Sequence, residues 1–458
     1  MGDTIAAVAT PMARGAIGIL RLSGPEAVRA ASAVFKSVSG RALEEYEGRR
    51  LVYGTLYDRE GNAIDQVLAT YTRGPGSYTG EDTAELQCHG SPAVLTLGLE
   101  ALFAQGVRQA GPGEFTRRAF LNGRLDLTQA EAVADLIDAE TASAVRQAAG
   151  QLSGALGRRV AAVYDALTDL TAHFCAVLDY PDEDIDPFRA ETMERALSQA
   201  QRELSALLAT YGRGRQLAHG VPCAIVGQPN AGKSSLLNAL VGYDRAIVTD
   251  IPGTTRDTIE EKCRLGGVLL RLIDTAGLRD TTDTVEQLGV ERSRAALAEA
   301  ELALVLIDPQ GGVTAEDLAI LEQARAAAEK VIVVLTKSDL DRGPCIGLTL
   351  WGENCPPVVS LSAKTGEGLE ELEAAVAALF PQGEENWGEL LTNARQAEAA
   401  GRALEAVGSA LSALTAGIPA DAVFSDVEAA LDALGALTGR SVQEDVTDRI
   451  FSRFCVGK

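Results

Sequence analysis

Metal-binding side chains are scarce in this sequence of 458 residues. The chain has three histidines and seven cysteines, which are scattered and show no paired C-x-x-C spacing. A structural zinc site needs such ligands at short spacings, and a disulfide framework needs cysteines that can pair. The sequence therefore predicts reduced thiols in a reducing compartment, and neither a zinc-bound nor a disulfide-linked fold.

Long apolar runs are also missing. No uninterrupted apolar stretch approaches the roughly 18 residues that a membrane-spanning helix needs. The N-terminus lacks the charged and apolar regions of an export signal. We therefore expect a cytoplasmic protein with no membrane partner, and the length suggests about three domains.

Positive charge is the third shortage. The chain has 41 Lys and Arg against 64 Asp and Glu, which gives a net charge of -23. An acidic surface disfavours non-specific binding to nucleic acid, because Lys and Arg supply that affinity by neutralising phosphates. A nucleic-acid substrate must therefore meet a local basic patch or arrive with a partner protein, and the nearly neutral segment 1–120 is the least unfavourable surface.

The pattern along the chain predicts a multidomain α/β protein. Residues 1–120 mix short β-branched runs, such as Ala16–Leu22 and Gln66–Thr72, with Gly- and Pro-rich turns, which indicates an α+β domain. Residues 121–218 and 383–458 carry apolar residues at helical spacing, so we expect one helical domain formed from two chain segments.

Residues 219–382 have a different pattern and are predicted to form an inserted domain. Short apolar runs alternate there with helical patterns, which is typical of a mostly parallel sheet covered on both faces. The runs are Val221–Val226, Val268–Ile273, Leu302–Ile307, Val331–Leu335 and Val358–Leu361.

A phosphate-binding motif follows the first of these runs. Residues 227–234 read Gly-Gln-Pro-Asn-Ala-Gly-Lys-Ser, which fits G-x-x-x-x-G-K-[ST] between a predicted strand and a predicted helix. Backbone N–H groups of such a loop surround phosphate oxygens, and the helix N-terminus adds a positive dipole. We expect Lys233 to reach the β and γ phosphates and Ser234 to hold Mg²⁺. The predicted contacts are Asn230, Ala231, Gly232, Lys233, Ser234 and Ser235.

Two further motifs are predicted to sense the phosphates. The segment 249–255 is a Gly/Thr-rich loop in which Thr255 can complete the Mg²⁺ shell. In the segment 274–277, the Asp can bind the metal through water and the Gly N–H can sense the γ-phosphate. The predicted GTP contacts are Thr249, Asp250, Ile251, Pro252, Gly253, Thr254, Thr255, Asp274, Thr275, Ala276 and Gly277.

Two motifs at later strand ends are predicted to read the base. Asp339 can accept the N1 and N2 hydrogens of guanine, a donor pair that adenine lacks. The full set of contacts is Thr336, Lys337, Asp339, Ser362, Ala363 and Lys364. The five motifs are similar to those of the Ras-like small GTPase superfamily, which implies a P-loop G domain. Thr336 stands where that superfamily usually has the Asn that ties the base to the P-loop, so weak nucleotide affinity is implied.

The five motifs do not by themselves identify the residue that activates the attacking water. Leu278 follows the third motif, where Ras-like enzymes use Gln. Glu286 lies a few residues further on and can hold the attacking water, although a solvated glutamate at a helix start is also consistent with the sequence. No arginine finger is identifiable, and a monovalent cation bound by Asn230 can supply the missing positive charge.

Long motifs lie at both ends of the chain, outside the G domain. They are the segments 3–11, 18–24, 77–87 and 113–127, and the ending Phe-Ser-Arg-Phe-Cys-Val-Gly-Lys at 451–458. These segments resemble the MnmE family (also called TrmE) of tRNA uridine-34 modification GTPases, and the resemblance runs from about residue 3 to residue 458.

The resemblance implies a folate site and a dimer. The N-terminal domain of the family dimerises and binds a tetrahydrofolate one-carbon donor, in the 5,10-methylene or 5-formyl form. Carried over by motif, the folate contacts are Arg21, Glu85, Arg124 and Lys458, and Arg124 stands where the family usually has Lys. Taken without the family, Arg21 also suits a solvated charge on a strand.

The resemblance also implies how GTP hydrolysis is activated. In the family, K⁺ lies between two G domains that dimerise, and its ligands here would be Asn230, Thr249, Ile251 and Thr254. The family places a catalytic glutamate at the position of Glu286 and a hydrophobic residue at that of Leu278.

The family works with a flavin-dependent partner, MnmG, in a heterotetramer or a larger assembly. Together they add an aminomethyl or carboxymethylaminomethyl group to C5 of the wobble uridine of certain tRNAs, and GTP hydrolysis drives domain opening and closing. Cys455 would then act in the modification chemistry, whereas a thiol that only packs the C-terminal tail is the alternative.

Two other functions fit parts of the sequence. A GTP-switched ribosome assembly factor would share the central motifs but would not need the N-terminal and C-terminal ones. An ATP-using P-loop protein is suggested by Thr336 alone.

Overall fold

The structure is a computed structural model that describes residues 2–179, 190–244, 261–273, 295–340, 356–381, 387–441, 447, 450–452 and 454–458. The chain divides into two compact units. The first comprises Met1–Ile137, Gly150–Ala206 and Glu398–Lys458, and the second comprises Asp138–Ala149 and Leu207–Ala397. The domain boundaries expected from the sequence stay predictions.

The first unit contains a seven-stranded sheet. Its strands are β1 (Ile5–Val8), β2 (Gly15–Ser23), β3 (Phe35–Ser37), β4 (Val52–Tyr57), β5 (Ala63–Thr72), β6 (Thr83–Gly90) and β7 (Arg108–Gln109). They lie in the order β3-β4-β5-β6-β2-β1-β7, and β1 and β7 are parallel. The predicted strands Ala16–Leu22 and Gln66–Thr72 are confirmed within β2 and β5.

Alternation along these strands explains why one face is covered. Leu20 and Leu22 on β2 and Leu86 on β6 are fully buried and share one hydrophobic cluster with Leu95 and Leu102. The last two lie on one of the helices of this region, which are α1 (Ala27–Val34), α2 (Pro92–Phe103) and α3 (Glu114–Leu121). The N-terminal region is therefore the α+β arrangement that the sequence predicts.

The remaining helices are named here in chain order. They are α4 (Leu127–Asp138), α5 (Ala142–Leu152), α6 (Ala155–Asp179), α7 (Ala190–Leu208), α8 (Tyr211–His219), α9 (Lys233–Asp244), α10 (Ala315–Ala327), α11 (Leu369–Leu379), α12 (Ala394–Thr415) and α13 (Ala420–Thr438). In the first unit α6 packs on α13, where the Phe174 and Phe424 rings stack with centroids 4.0 Å apart. Helices from both flanks of the inserted domain thus pack together.

Two details differ from the sequence pattern. Ile137, which lies in the last turn of α4 and continues the apolar spacing of Ala130, Val133 and Ala134, is 49% exposed. In the part of the chain that the structure describes, the stretch Ala155–Val177 of α6 has the length and the mean hydropathy of 1.2 that a membrane span requires. A core helix of a soluble protein passes the same composition test, so the stretch alone does not indicate a membrane.

The second unit is built on a six-stranded sheet. Its strands are β8 (Val221–Gly227), β9 (Glu261–Leu265), β10 (Val268–Leu272), β11 (Leu302–Ile307), β12 (Lys330–Leu335) and β13 (Val358–Ser360). They lie in the order β13-β12-β11-β8-β10-β9, and every neighbouring pair is parallel except β9 with β10. All five predicted runs are strands.

The register of this sheet brings the ends of four strands together. Gly227 on β8 pairs with Leu306 on β11, and the next residue, Ile307, pairs with Leu335 on β12. Leu335 in turn pairs with Ser360 on β13. Because these strands are parallel, the loops that follow them emerge at one edge of the sheet, which is where ligands bind in such folds.

Candidate functional site

The phosphate-binding motif forms a tight loop between β8 and α9. Gly227 must be glycine, because a Cβ there would lie 2.5 Å from the carbonyl oxygen of Leu306. Asn230 has a φ of 63° and Gly232 a φ of 94°, and the Ala231 N–H donates to the carbonyl of Gln228 at 3.2 Å. These left-handed residues turn the main chain so that it curls in front of α9.

Lys233, the first residue of α9, lies over this loop. Its Nζ donates to the carbonyl oxygens of Gly227 at 2.7 Å and Gln228 at 2.8 Å. Burial lowers the pKa of Lys233, and a nearby anion favours the charged form of an amine. A phosphate oxygen would therefore be a suitable partner. Ser234 and Ser235 follow in the first turn of the helix, and the buried Ala231 anchors the loop.

The two base-reading motifs meet at the same edge of the sheet. The Ser362 hydroxyl, which is 1% exposed, donates to the Asp339 carboxylate at 2.7 Å. Asp339 itself is exposed, so one of its oxygens is held by the protein while the group faces solvent. Ala363 and the exposed Lys364 follow directly. The structure thus brings together the residues predicted to recognise guanine.

Thr336 occupies the position that usually carries Asn. It is 4% exposed, and both its N–H (2.9 Å) and its hydroxyl (3.3 Å) donate to the carbonyl oxygen of Ile307. A Cβ on Gly232 would lie 3.7 Å from Thr336, which is ordinary van der Waals contact. Thr336 therefore lies beside the phosphate loop with room only for a methyl group between them, while its hydroxyl is directed to the neighbouring strand.

Several predicted residues lie outside the described part of the chain. They are the segment 249–255 with Thr249, Ile251, Thr254 and Thr255, the segment 274–278, and Glu286. Over the described ranges, no group of three or more His, Cys, Asp or Glu side chains is arranged to hold a metal ion. Of the predicted Mg²⁺ and K⁺ ligands, Ser234 and the exposed Asn230 are described.

A second cluster of predicted residues lies in the first unit. Arg21 on β2 and Glu85 on β6 are directly opposite in the register, and Arg21 Nε donates to Glu85 Oε1 at 2.8 Å. The Arg21 guanidinium also lies 5.9 Å from the ring centroid of Phe115 and donates to the carbonyl of Gly457 at 3.4 Å. Because Gly457 precedes Lys458, three of the four predicted folate contacts are near one another.

The C-terminal tail is seated by its main chain. The Gly113 N–H donates to the Cys455 carbonyl at 3.2 Å, and the Phe115 N–H donates to the Lys458 carbonyl at 3.0 Å. Pro112 and Val456 form an antiparallel bridge. The Cys455 side chain is exposed, so its carbonyl and not its sulphur holds the tail.

Arg124 lies at the side of this cluster. It is exposed, and its Cγ is 3.3 Å from where a Cβ of Gly80 would be. The neighbouring Thr79 hydroxyl bonds to Ser23, two residues along β2 from Arg21, at 2.7 Å.

The sequence motifs did not single out Tyr78 or Phe115. The Tyr78 hydroxyl bonds to the Thr116 hydroxyl at 3.0 Å, and burial raises the pKa of Tyr78 although the charge of Arg21 opposes it. Both aromatic residues lie inside the long N-terminal motifs, which was the signal that could have found them.

Comparison with known proteins identifies the family. The family model described as GTP-binding protein TrmE N-terminus matches residues 4–124, and the MnmE helical domain model matches residues 127–455. The tRNA modification GTPase MnmE of Clostridioides difficile (strain 630) is 42% identical over 458 residues, which cover 100% of this chain and 99% of the relative. The MnmE of Synechococcus sp. (strain JA-2-3B'a(2-13)) is 45% identical over 464 residues, with coverages of 100% and 99%. The chain belongs to the MnmE family.

Membership of the MnmE family settles the activity at a coarse level. The chain is an enzyme, a GTPase of a tRNA-modifying family. The Arg21–Glu85 cluster and the P-loop lie in the two different units.

Proposed function

We propose that this chain is the GTP-hydrolysing subunit of a tRNA-modifying complex that acts on C5 of wobble uridine 34. With a flavin-dependent partner of the MnmG type, it adds an aminomethyl or carboxymethylaminomethyl group. The observation that carries the proposal is the seating of the C-terminal tail beside Arg21 and Glu85. A GTPase switch alone has no need of this second cluster.

The residues of the cluster fit a tetrahydrofolate derivative. Glu85 offers a carboxylate to pterin N–H groups, and Arg21, Arg124 and Lys458 offer cations to the glutamate tail. Phe115 supplies an aromatic face next to Arg21. When bound, 5,10-methylene or 5-formyl tetrahydrofolate would supply the one-carbon unit, and the exposed Cys455 thiol beside it is proposed to act in the modification.

The P-loop unit is proposed to bind GTP with Mg²⁺ and to hydrolyse it in a K⁺-dependent manner. Lys233 would neutralise the β and γ phosphates, and Ser234 with Thr255 would hold Mg²⁺. Asn230, Thr249, Ile251 and Thr254 would bind K⁺, which supplies the positive charge of an arginine finger when two G domains dimerise. Glu286 would orient the attacking water, because Leu278 cannot.

The assembly is proposed to be a cytoplasmic homodimer, formed through the N-terminal domain, that joins the partner in a heterotetramer or a larger complex. The net charge of -23 supports a division of labour in which the partner carries much of the tRNA contact.

Mass spectrometry of wobble uridines in cells that lack this gene tests the proposal. The C5 modification should disappear and should return with the wild-type gene and with Arg29→Ala, an exposed arginine of α1 that serves as a matched control. Arg21→Ala and Lys233→Ala should fail to restore it. Unchanged wobble uridines in the deletion strain would contradict the proposal.

A further inference from the structure

The loop after β11, residues 308–314, contacts both halves of the nucleotide site. It leaves the sheet at the edge where the phosphate loop and the base-reading motif also emerge. None of its side chains belongs to the five nucleotide motifs. Its contacts therefore need a separate explanation.

At one end the loop is bonded to the phosphate loop. The Gln228 side-chain amide donates to the Thr314 hydroxyl at 2.5 Å. That hydroxyl also donates to the Asp317 carboxylate at 2.8 Å and accepts the Asp317 N–H at 3.2 Å, which caps α10. Because both its donor and its acceptor capacity are in use, the Thr314 hydroxyl is held in one orientation.

At the other end the loop is bonded to the base-reading motif. Lys337 Nζ donates to Asp308 Oδ2 at 2.5 Å, and the Gln310 N–H donates to Asp308 Oδ1 at 3.1 Å. Partial burial raises the pKa of Asp308, but these hydrogen bonds outweigh it and lower the pKa overall. The ionised carboxylate thus fixes Lys337, which has a left-handed φ of 56° two residues before Asp339.

Thr336 gives the two bonds of this loop a structural role, because it stands where related GTPases usually have Asn. An Asn in that position usually ties the base motif to the phosphate loop, whereas the Thr336 hydroxyl here bonds to the Ile307 carbonyl. Residue 308 follows Ile307 directly, so the loop begins at the point where that tie is missing.

We propose that Asp308 and Thr314 are positioning residues that join the guanine-reading motif to the phosphate loop. The 308–314 loop sets the separation between Asp339 and the phosphate-binding amides, and so it controls the affinity for the whole nucleotide. The inference rests on the GTPase activity of the chain. It adds two residues that touch neither the base nor the phosphates.

Nucleotide titrations on the full-length protein test each end of the loop. Asp308→Asn should raise the Kd for GDP and the KM for GTP roughly tenfold, because the amide is uncharged and has one acceptor oxygen where the carboxylate uses two, while kcat stays within about twofold. It should also reduce the preference for GDP over IDP, because IDP lacks the 2-amino group that Asp339 reads. Glu316→Gln, which removes an exposed carboxylate from the first turn of α10, is the matched control and should behave as wild type.

The phosphate end should respond differently. Gln228→Met and Thr314→Val should weaken GDP and IDP by the same factor of about three to ten. Thr314→Ser keeps the hydroxyl and should bind both as wild type does. A loss of general stability would not produce this split between base preference and overall affinity.

The outcomes separate the inference from the activity. Wild-type protein that binds no GDP would contradict the GTPase assignment. Wild-type protein that binds GDP, together with an Asp308→Asn variant of equal affinity and equal base preference, would overturn the inference. If Asp308→Asn does not fold, the two Thr314 variants test the inference instead. Equal GDP affinities of Thr314→Val and Thr314→Ser would refute a positioning role of the Thr314 hydroxyl.

Discussion

A single added methyl group at Gly457 should detach the C-terminal tail. Gly457 has a φ of 99°, and a Cβ there would lie 2.3 Å from the backbone carbonyl oxygen of Val8. The left-handed conformation costs an alanine about 1–2 kcal/mol, and overpacking against a backbone atom adds about 1–3 kcal/mol.

The two costs together, about 2–5 kcal/mol, are larger at mid-range than the hydrogen bonds that hold the last residues in place. Two backbone hydrogen bonds to Cys455 and Lys458 seat the tail, each worth about 0.5–1.5 kcal/mol, and Arg21 adds a long bond of 3.4 Å to the Gly457 carbonyl. The Gly457→Ala variant should therefore release residues 455–458, while the buried Phe454 remains packed. A net preference of about 2 kcal/mol for release corresponds to roughly a thirtyfold change in population.

Two measurements on the full-length protein test this expectation. Hydrogen exchange should show that the Phe115 amide, which donates to the Lys458 carbonyl, loses its protection. Calorimetric titration with 5-formyl tetrahydrofolate should show an affinity reduced at least tenfold. The matched control is Gly401→Ala in α12, where an added Cβ meets nothing within 4 Å and both readouts should stay unchanged.

The result that would refute the reasoning is a protected Phe115 amide in Gly457→Ala. It would mean that the tail tolerates the methyl group, so the close approach to Val8 does not govern its position. The hydrogen-exchange readout does not depend on folate, and it therefore tests the tail even if the wild-type protein does not bind folate.

Four further outcomes are expected. GTP hydrolysis should be faster in K⁺ than in Na⁺, and equal rates would argue against a role for the cation. Glu286→Ala should lower kcat without weakening GDP binding, whereas normal turnover would remove this residue from the mechanism. Cys455→Ser should abolish uridine modification in cells but leave GTP hydrolysis intact, and modified uridine would refute its chemical role. Arg118 bonds to Asp3, Glu81 and Glu114 at 2.7–3.0 Å, so Arg118→Met should lower the free energy of unfolding by about 2–3 kcal/mol at pH 7. The hydrogen bond from Arg108, and then that from Arg118, lower the pKa of Asp3. The stabilisation is therefore present above the ordinary pKa of an aspartate and is lost in acid. Urea unfolding should show a smaller difference in the free energy of unfolding between wild type and Arg118→Met at pH 3 than at pH 7.

The central sheet could be predicted because its signals are local. The runs of β8 and β11 are buried on both faces and therefore read as continuous apolar segments, whereas the run of β13 at the sheet edge is apolar although Val358 is exposed. The strand β9 was not predicted, since its residues Glu-Lys-Cys-Arg-Leu alternate polar and apolar at the antiparallel edge. Position in the sheet, which the sequence does not state, decides whether a strand is apolar throughout.

The contacts of the sites were less accessible than their residues. Asp339 and Ser362 were predicted as separate motifs, and only the parallel register of β12 and β13 makes their hydrogen bond possible. Asp308 and Thr314 belong to no motif. A residue that positions another side chain needs only to lie within hydrogen-bond distance of it, which sets no fixed sequence spacing to the motif. Such residues become visible when the folded chain brings them to Lys337 and Gln228.

The seating of the tail shows the same limit over a longer distance. Gly113 and Cys455 are more than 300 residues apart, and the bond between them uses only main-chain atoms. The side chains at these two positions therefore do not indicate that the hydrogen bond forms. The sequence trace that does remain is Gly457, since a residue that must approach Val8 at a φ of 99° has to be glycine. The short ending is therefore constrained by the N-terminal strand β1 against which it packs, and the same backbone fit brings the Gly457 carbonyl, next to the final Lys458, within 3.4 Å of Arg21 Nη1.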